Sequence, residues 1–132
     1  MFLKRIAPSS EFEGFNIFAI VIDDLCQAQE YIDNSDLKNQ KQITALFNLI
    51  TVSGLPHNEE KFKTIGDDIF QLKTQRGMRI LCFTGGSKLP KSLILTHAFN
   101  KPKKKELRRE KTRAIELKHQ YLNEEIKVLK NF

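Results

Sequence analysis

The feature that most restricts the fold of this chain is the stretch from Ile69 to Phe99, which reads as three short strands separated by glycine-containing turns. The strands Ile69 to Thr74, Met78 to Thr84 and Ser92 to Phe99 are rich in apolar and β-branched residues. Consecutive strands joined by such short turns must pair antiparallel, because a parallel pair needs a long crossover. The stretch therefore predicts an antiparallel meander.

The remaining periodic segments predict the other elements of one domain. A continuous apolar run predicts a strand over Phe15 to Ile22, and apolar residues at helical spacing predict two helices between that strand and Gly54. A long C-terminal helix is expected to open at Leu107. The sequence thus predicts an α+β fold, with an antiparallel sheet of about four strands, an N-terminal helical hairpin and a C-terminal helix. Residues 1–14 are expected to be an N-terminal extension and residues 15–132 a single domain.

A strongly basic segment, Lys101 to Arg113, follows the last predicted strand directly. It contains eight Lys and Arg residues against two Glu, a balance of +6 that equals the net charge of the whole chain. Positive charge concentrated beside a sheet edge is typical of a surface that binds a polyanion, because Lys and Arg displace counterions from phosphates. A solvated basic start of a helix is the alternative.

Several classes of protein are not indicated. The chain has no apolar run long enough to cross a bilayer and no signal-peptide pattern, so we expect a cytoplasmic protein without a membrane partner. Cys26 and Cys82 fall in a helical pattern and an apolar strand, and we predict that both are buried thiols. Metal-ligand spacings and nucleotide-binding glycine motifs are missing, so neither a metal nor a small-molecule cofactor is expected.

Two polar residues interrupt apolar rows near strand ends. Alternation along the strands places Arg79 on the same side as Leu81, and His97 on the same side as Leu95 and Phe99. An Arg on an apolar row is rarely found without a partner anion, although a snorkelling Arg and a backbone-satisfied His are the structural alternatives. Arg, Lys and His together suit cleavage of RNA, which needs proton transfer and stabilisation of charge on phosphate oxygens.

Three short motifs occur in a characteristic order and are followed by Ala114 at the start of the last helix. They are Gln71-Leu72-Lys73, Arg79-Ile80-Leu81-Cys82-Phe83 and Thr96-His97-Ala98-Phe99-Asn100-Lys101. In this order they resemble the RelE/HigB superfamily of bacterial type II toxins, most closely its phage-derived RelE-like branch. The resemblance implies an antiparallel sheet flanked by two N-terminal helices and a C-terminal helix. It also implies cleavage of mRNA in the ribosome and neutralisation by a cognate antitoxin protein.

The same resemblance implies roles for individual residues. Arg79 matches the strand Arg that contacts the scissile phosphate, and Lys73, His97 and Lys101 match further catalytic positions. The charge of the basic segment, rather than the resemblance, predicts the residues that bind RNA: Lys103, Lys104, Lys105, Arg108 and Arg109. The chain departs from the family pattern by carrying Gln71 for Glu, Lys73 for Arg, and Pro102 within a Lys pair.

The sequence leaves three functions open. The first is a ribosome-dependent mRNA endonuclease that works without a metal ion. The second is a gyrase-directed toxin of the related ParE branch, which inhibits without hydrolysis. The third is a basic RNA-binding or ribosome-binding module without catalysis. One fold hosts several functions, so fold alone does not choose among them.

Overall fold

The computed structural model describes residues 1–129, which form seven strands and three helices. The strands are β1 (Phe2–Ala7), β2 (Asn16–Val21), β3 (Phe62–Thr64), β4 (Phe70–Lys73), β5 (Met78–Thr84), β6 (Ser92–Asn100) and β7 (Lys127–Leu129). The helices are α1 (Gln27–Asp33), α2 (Leu37–Ser53) and α3 (Lys104–Asn123). Helix α3 begins three residues before the predicted Leu107, directly after Pro102 and the N-cap Lys103.

The strands form one mixed sheet in the order β3-β4-β5-β6-β2-β1-β7. From β3 to β6 each strand is antiparallel to the next, and β1 is antiparallel to β2. Two pairs are parallel: β2 with β6, and β1 with β7. The meander predicted for residues 69–99 is therefore confirmed.

The predicted four-stranded antiparallel sheet with an N-terminal helical hairpin is wrong. The chain begins with β1, two strands precede the first helix, and the sheet within residues 1–129 has seven strands of mixed direction. The prediction failed because turns specify the pairing of neighbouring strands only. A short turn fixes the pairing of strands that are consecutive in sequence, whereas two helices and three strands separate β2 from β6. Neither the contact between these strands nor its direction follows from local sequence.

Both faces of the sheet are covered. Helices α1 and α2 pack on one face, where the predicted apolar stripe of α2 is buried: Ile43, Leu46, Phe47 and Ile50. Helix α3 packs on the other face through Ala114, Leu117 and Tyr121. The Tyr121 hydroxyl donates a hydrogen bond to the carbonyl of Gly85 at 2.7 Å, which anchors the C-terminal half of α3 to the loop after β5. The result is a three-layer arrangement with the sheet in the middle.

Strand β6 contains a bulge at Thr96. Leu81 of β5 pairs with His97, whereas its neighbour Cys82 pairs with Leu95, so Thr96 is an extra residue in β6. The Thr96 hydroxyl donates to the carbonyl of Leu81 at 3.0 Å and holds the irregular segment in place. Because side chains alternate between the two faces, the extra residue moves every later side chain of β6 to the opposite face.

Near the end of β6, the side-chain amide of Gln27 provides the backbone hydrogen bonding that a neighbouring strand would otherwise provide. The register of β2 with β6 ends at the Ala19–Leu95 pair. Farther along, Gln27 Nε2 donates to the carbonyl of Ala98 at 2.7 Å, and Gln27 Oε1 accepts from its N–H at 2.6 Å. Both backbone groups of Ala98 are thereby satisfied by one amide from the first turn of α1.

The two Cys residues are buried and free, as predicted. Burial raises the pKa of both thiols. None of the helices within residues 1–129 combines the length and the apolar character needed to cross a bilayer.

Replacing Gln27 should destabilise the fold. Gln27→Ala leaves the N–H and carbonyl of Ala98 without their partner, so we expect the free energy of unfolding to fall by about 1–3 kcal/mol. Gln29→Ala, which removes only a bond to Asp33 on the surface of the same helix, is the control and should cost about 0.5 kcal/mol or less. Urea denaturation followed by circular dichroism measures both. Equal losses in the two variants would contradict the role of Gln27.

Candidate functional site

Two side chains of helix α2 form hydrogen bonds that hold the turn between β4 and β5. The Thr74 hydroxyl donates to Asn39 Oδ1 at 2.5 Å and accepts from the N–H of Met78 at 3.0 Å. The N–H of Gln75 donates to Gln42 Oε1 at 2.8 Å. Helix α2 therefore holds the turn in one conformation, and the residues at its two ends have fixed positions.

Arg79 lies directly after this turn and is only 8% exposed. Its Nη1 donates to the carbonyls of Thr74 at 3.0 Å and Met78 at 2.9 Å. Burial lowers its pKa, but a guanidinium stays charged in proteins. Lys73 is its directly opposite neighbour on β4, a position in which Cβ atoms lie about 4.5–5.5 Å apart. Two of the predicted catalytic cations are thus side by side.

Lys101 is held at the same turn by its backbone. Its N–H donates to the carbonyl of Gly77 at 2.7 Å. Gly77 has φ +102°, and a Cβ there would lie 2.8 Å from Asn100 Oδ1. A larger residue at position 77 would therefore disturb the hydrogen bond between Gly77 and Lys101. The structure therefore brings Lys73, Arg79 and Lys101 to one end of the sheet.

His97 lies on the face covered by α3, but not at the surface. The predicted alternation with Leu95 is wrong, because the bulge at Thr96 turns His97 to the opposite face, where Arg79 and Leu81 also lie. The His97 side chain is buried beneath Glu110 of α3, and its Nε2 is 3.2 Å from Glu110 Oε2 without the alignment of a hydrogen bond. Its Nδ1 is 2.9 Å from Thr96 Oγ1.

Burial is the main cause of the lowered pKa of His97. The positive charge of Arg113 lowers this pKa further, while Glu110 acts in the opposite direction. The neutral ring is therefore favoured more than in a solvated His.

The N-terminal half of α3 and two residues between β6 and α3 form an exposed cationic surface. This surface consists of Lys101, Lys103, Lys104, Lys105, Arg108 and Arg109, all exposed and without an acidic partner among the described residues. Two later basic residues of α3 differ, since Lys111 pairs with Asp67 at 2.9 Å and Lys118 with Asp68 at 3.9 Å. Arg113, between them, is exposed and forms no salt bridge with a described residue. All five predicted RNA-binding residues belong to the cationic surface.

Glu110 is the residue that the sequence analysis missed. It stands four residues before Ala114 and seven before Leu117, so its position on the inner stripe of α3 could have been read from the helical spacing. Glu110 was not predicted to face the core because it lies within a basic segment that was interpreted as solvent-exposed. Among residues 1–129, no group of three or more His, Cys, Asp or Glu side chains is placed to hold a metal ion.

The sequence matches the family model described as Phage derived protein Gp49-like (DUF891) over residues 30–119, which is more than half of the chain. The chain therefore belongs to the Gp49-like family of phage-derived proteins. This family is associated with toxins of toxin–antitoxin systems of the RelE-like type. The match begins in α1 and ends in α3, so it includes the turn, the meander and the cationic surface. No curated protein matches the chain.

The buried His97 should make stability depend on pH. Its pKa is lowered in the folded state, so the unfolded chain, with a His pKa of about 6.5, binds more protons as the pH falls below about 7. The free energy of unfolding should therefore decrease between about pH 7 and pH 5. His97→Gln should reduce this dependence, whereas replacing the exposed His119 by Gln should leave it unchanged. Urea denaturation at several pH values provides the test, and an identical slope in all three proteins would contradict the assignment.

Proposed function

We propose that this protein is the toxin component of a toxin–antitoxin system and that it cleaves mRNA on the ribosome without a metal ion. One observation carries the proposal: Lys73, Arg79 and Lys101 meet at one end of the sheet, beside an exposed cationic surface. A cognate antitoxin is the partner that the family association supports. The mRNA and the ribosome are the partners that we propose from charge.

The three cations have the chemistry that phosphodiester cleavage requires. Attack of a ribose 2′-hydroxyl on the adjacent phosphate gathers negative charge on the phosphate oxygens. Arg79 uses Nη1 to hold the turn carbonyls, which orients the rest of its planar guanidinium. Lys73 and Lys101 add two further positive charges around the same position. In this proposal the cations stabilise the transition state, and the fixed turn keeps them in place.

His97 is the group that we propose for proton transfer. It lies on the same sheet face as Arg79, and only a His titrates near neutral pH without a large pKa shift. Its side chain is 5% exposed and faces Glu110, so contact with a substrate requires the start of α3 to move aside. This requirement distinguishes His97 from Lys73 and Lys101, neither of which is buried.

A second candidate function is an RNA-binding or ribosome-binding toxin without catalysis. The burial of His97 favours it, because a buried imidazole does not meet a substrate. Tyr121 is a further side chain capable of proton transfer, but it is fully buried with its hydroxyl bound to Gly85. Neither group reaches solvent beside the cations. Cleavage of mRNA in a translating extract separates the two candidates, because a binding module would stall translation and leave the mRNA intact.

Arg79 should be essential for cleavage. A donor that stabilises charge in the transition state typically contributes about 2.7–4 kcal/mol, so Arg79→Ala should slow mRNA cleavage about a hundredfold or more. Arg79→Lys, which keeps the charge but loses the planar fork, should show an intermediate rate. The control is Arg76→Ala in the same turn, since Arg76 is exposed and paired with Asp36. A folded Arg79→Ala protein with the wild-type rate would exclude the proposed mechanism.

The cationic surface should govern affinity and its salt dependence. Replacing Lys103, Lys104 and Lys105 by Ala removes three phosphate contacts, so the slope of log affinity against log salt for single-stranded RNA should become shallower by about 2. The control has the same change in charge and replaces three exposed Lys residues elsewhere: Lys38, Lys41 and Lys63. Fluorescence anisotropy at several salt concentrations measures both slopes. Equal slopes in the two triple variants would place the contact elsewhere on the protein.

A further inference from the structure

A hollow of about 280 Å³ opens between the end of β6 and the start of α3. It adjoins the cationic surface and shares Arg109 with it. The residues that line it are Phe99, Asn100, Pro102, Glu106, Arg109 and Glu110. None of the cations proposed for catalysis lines this hollow, although Phe99 in its wall pairs with Arg79 across the sheet.

The lining has the composition of a nucleobase pocket rather than of a phosphate site. Phe99 and Pro102 supply apolar surface on which a base can lie, and Arg109 supplies N–H donors for the edge of that base. Two carboxylates would repel a phosphate but accept hydrogen bonds from the N–H groups of a base. RNA-binding proteins recognise splayed bases in this way, by stacking and by hydrogen bonds to the base edge.

Free hydrogen-bonding atoms in the hollow distinguish among the four bases. Glu106 uses Oε2 to accept from the N–H of Lys103 at 3.4 Å, and Glu110 places Oε2 near His97. The Oε1 atom of each carboxylate has no hydrogen bond to another described residue, and neither does the guanidinium of Arg109. Guanine offers N1–H and N2–H to a carboxylate, and O6 and N7 to an Arg. Uracil has a single N–H, and adenine and cytosine each have one amino group.

We propose that this hollow binds a guanine base of single-stranded RNA, with Glu110 accepting from N1–H and N2–H and Arg109 donating to O6 or N7. The inference rests on the proposed function, since it names the base next to the phosphates that the cationic surface holds. It makes Glu110 and Arg109 specificity determinants, while the lysines supply affinity that is independent of sequence.

The test compares short oligouridine RNAs that carry one central guanosine, inosine, adenosine or uridine. Fluorescence anisotropy at moderate salt should show that the guanosine RNA binds the wild-type protein about tenfold more tightly than the all-uridine RNA. Inosine lacks the N2 amino group, so its RNA should bind more weakly than the guanosine RNA. Glu110→Gln and Arg109→Lys should each reduce the guanosine-to-uridine affinity ratio to about two or less.

The matched control is Glu116→Gln. Glu116 is exposed on the same helix and does not border the hollow, and its replacement changes the net charge by the same amount as Glu110→Gln. Both variants should bind the all-uridine RNA slightly more tightly, because each loses one negative charge, but only Glu116→Gln should keep the wild-type affinity ratio. Thermal melts confirm that each variant is folded.

The outcomes separate this inference from the proposed function. If the wild-type protein binds every oligonucleotide equally well, with steep salt dependence, the guanine site is refuted and the RNA-binding function stands. Equal ratios in the Glu110→Gln and Glu116→Gln proteins refute it as well. If the wild-type protein binds no RNA at low salt, the proposed function fails and the guanine site fails with it.

Discussion

The bulge at Thr96 is the constraint on which the geometry of the site depends. Strand β6 lies in the middle of the sheet, between β5 and β2, so a single extra residue changes which side chains face each helix layer. Without it, His97 would face the layer of α1 and α2. With it, His97 and Phe99 share a face with Arg79 and lie beneath or beside α3. The same irregularity lies beyond the last β2–β6 pair, where Gln27 continues the hydrogen bonding to Ala98.

The two halves of helix α3 differ in packing and in charge. Its second half is anchored by the buried Ala114, Leu117 and Tyr121, and Lys88 donates to the carbonyls of Tyr121 and Glu124 at 2.6 and 2.8 Å near the helix end. Its first half buries no residue fully and carries unpaired cations. Asp67 and Asp68, in the turn before β4, pair with Lys111 and Lys118, so the unpaired positive charge of the helix lies in its first half, which ends at Arg113. A polyanion is attracted to the half of the helix that contributes least to the core.

Much of the architecture was readable from local sequence, as was part of the site. The strands of the meander, the apolar stripe of α2 and the buried Cys82 follow from composition and periodicity, since each depends on neighbouring residues alone. The basic segment was visible for the same reason. Lys73 and Arg79 could be placed near each other because a tight turn sets the register of β4 and β5. The bulge was not readable, because an extra residue in a strand leaves the apolar pattern almost unchanged.

By itself, the sequence determined the three helices and the strands β2, β4, β5 and β6, where the positive charge lies along the chain, and that β4, β5 and β6 pair in order. It did not predict the strands β1, β3 and β7. The tertiary structure alone decided that β2 runs parallel to β6, that β1 joins β7 to the sheet, and that Glu110 covers His97. The physical reason is the range of the forces involved. Turn geometry and side-chain periodicity act over a few residues, whereas pairing between distant strands depends on the burial of both sheet faces at once.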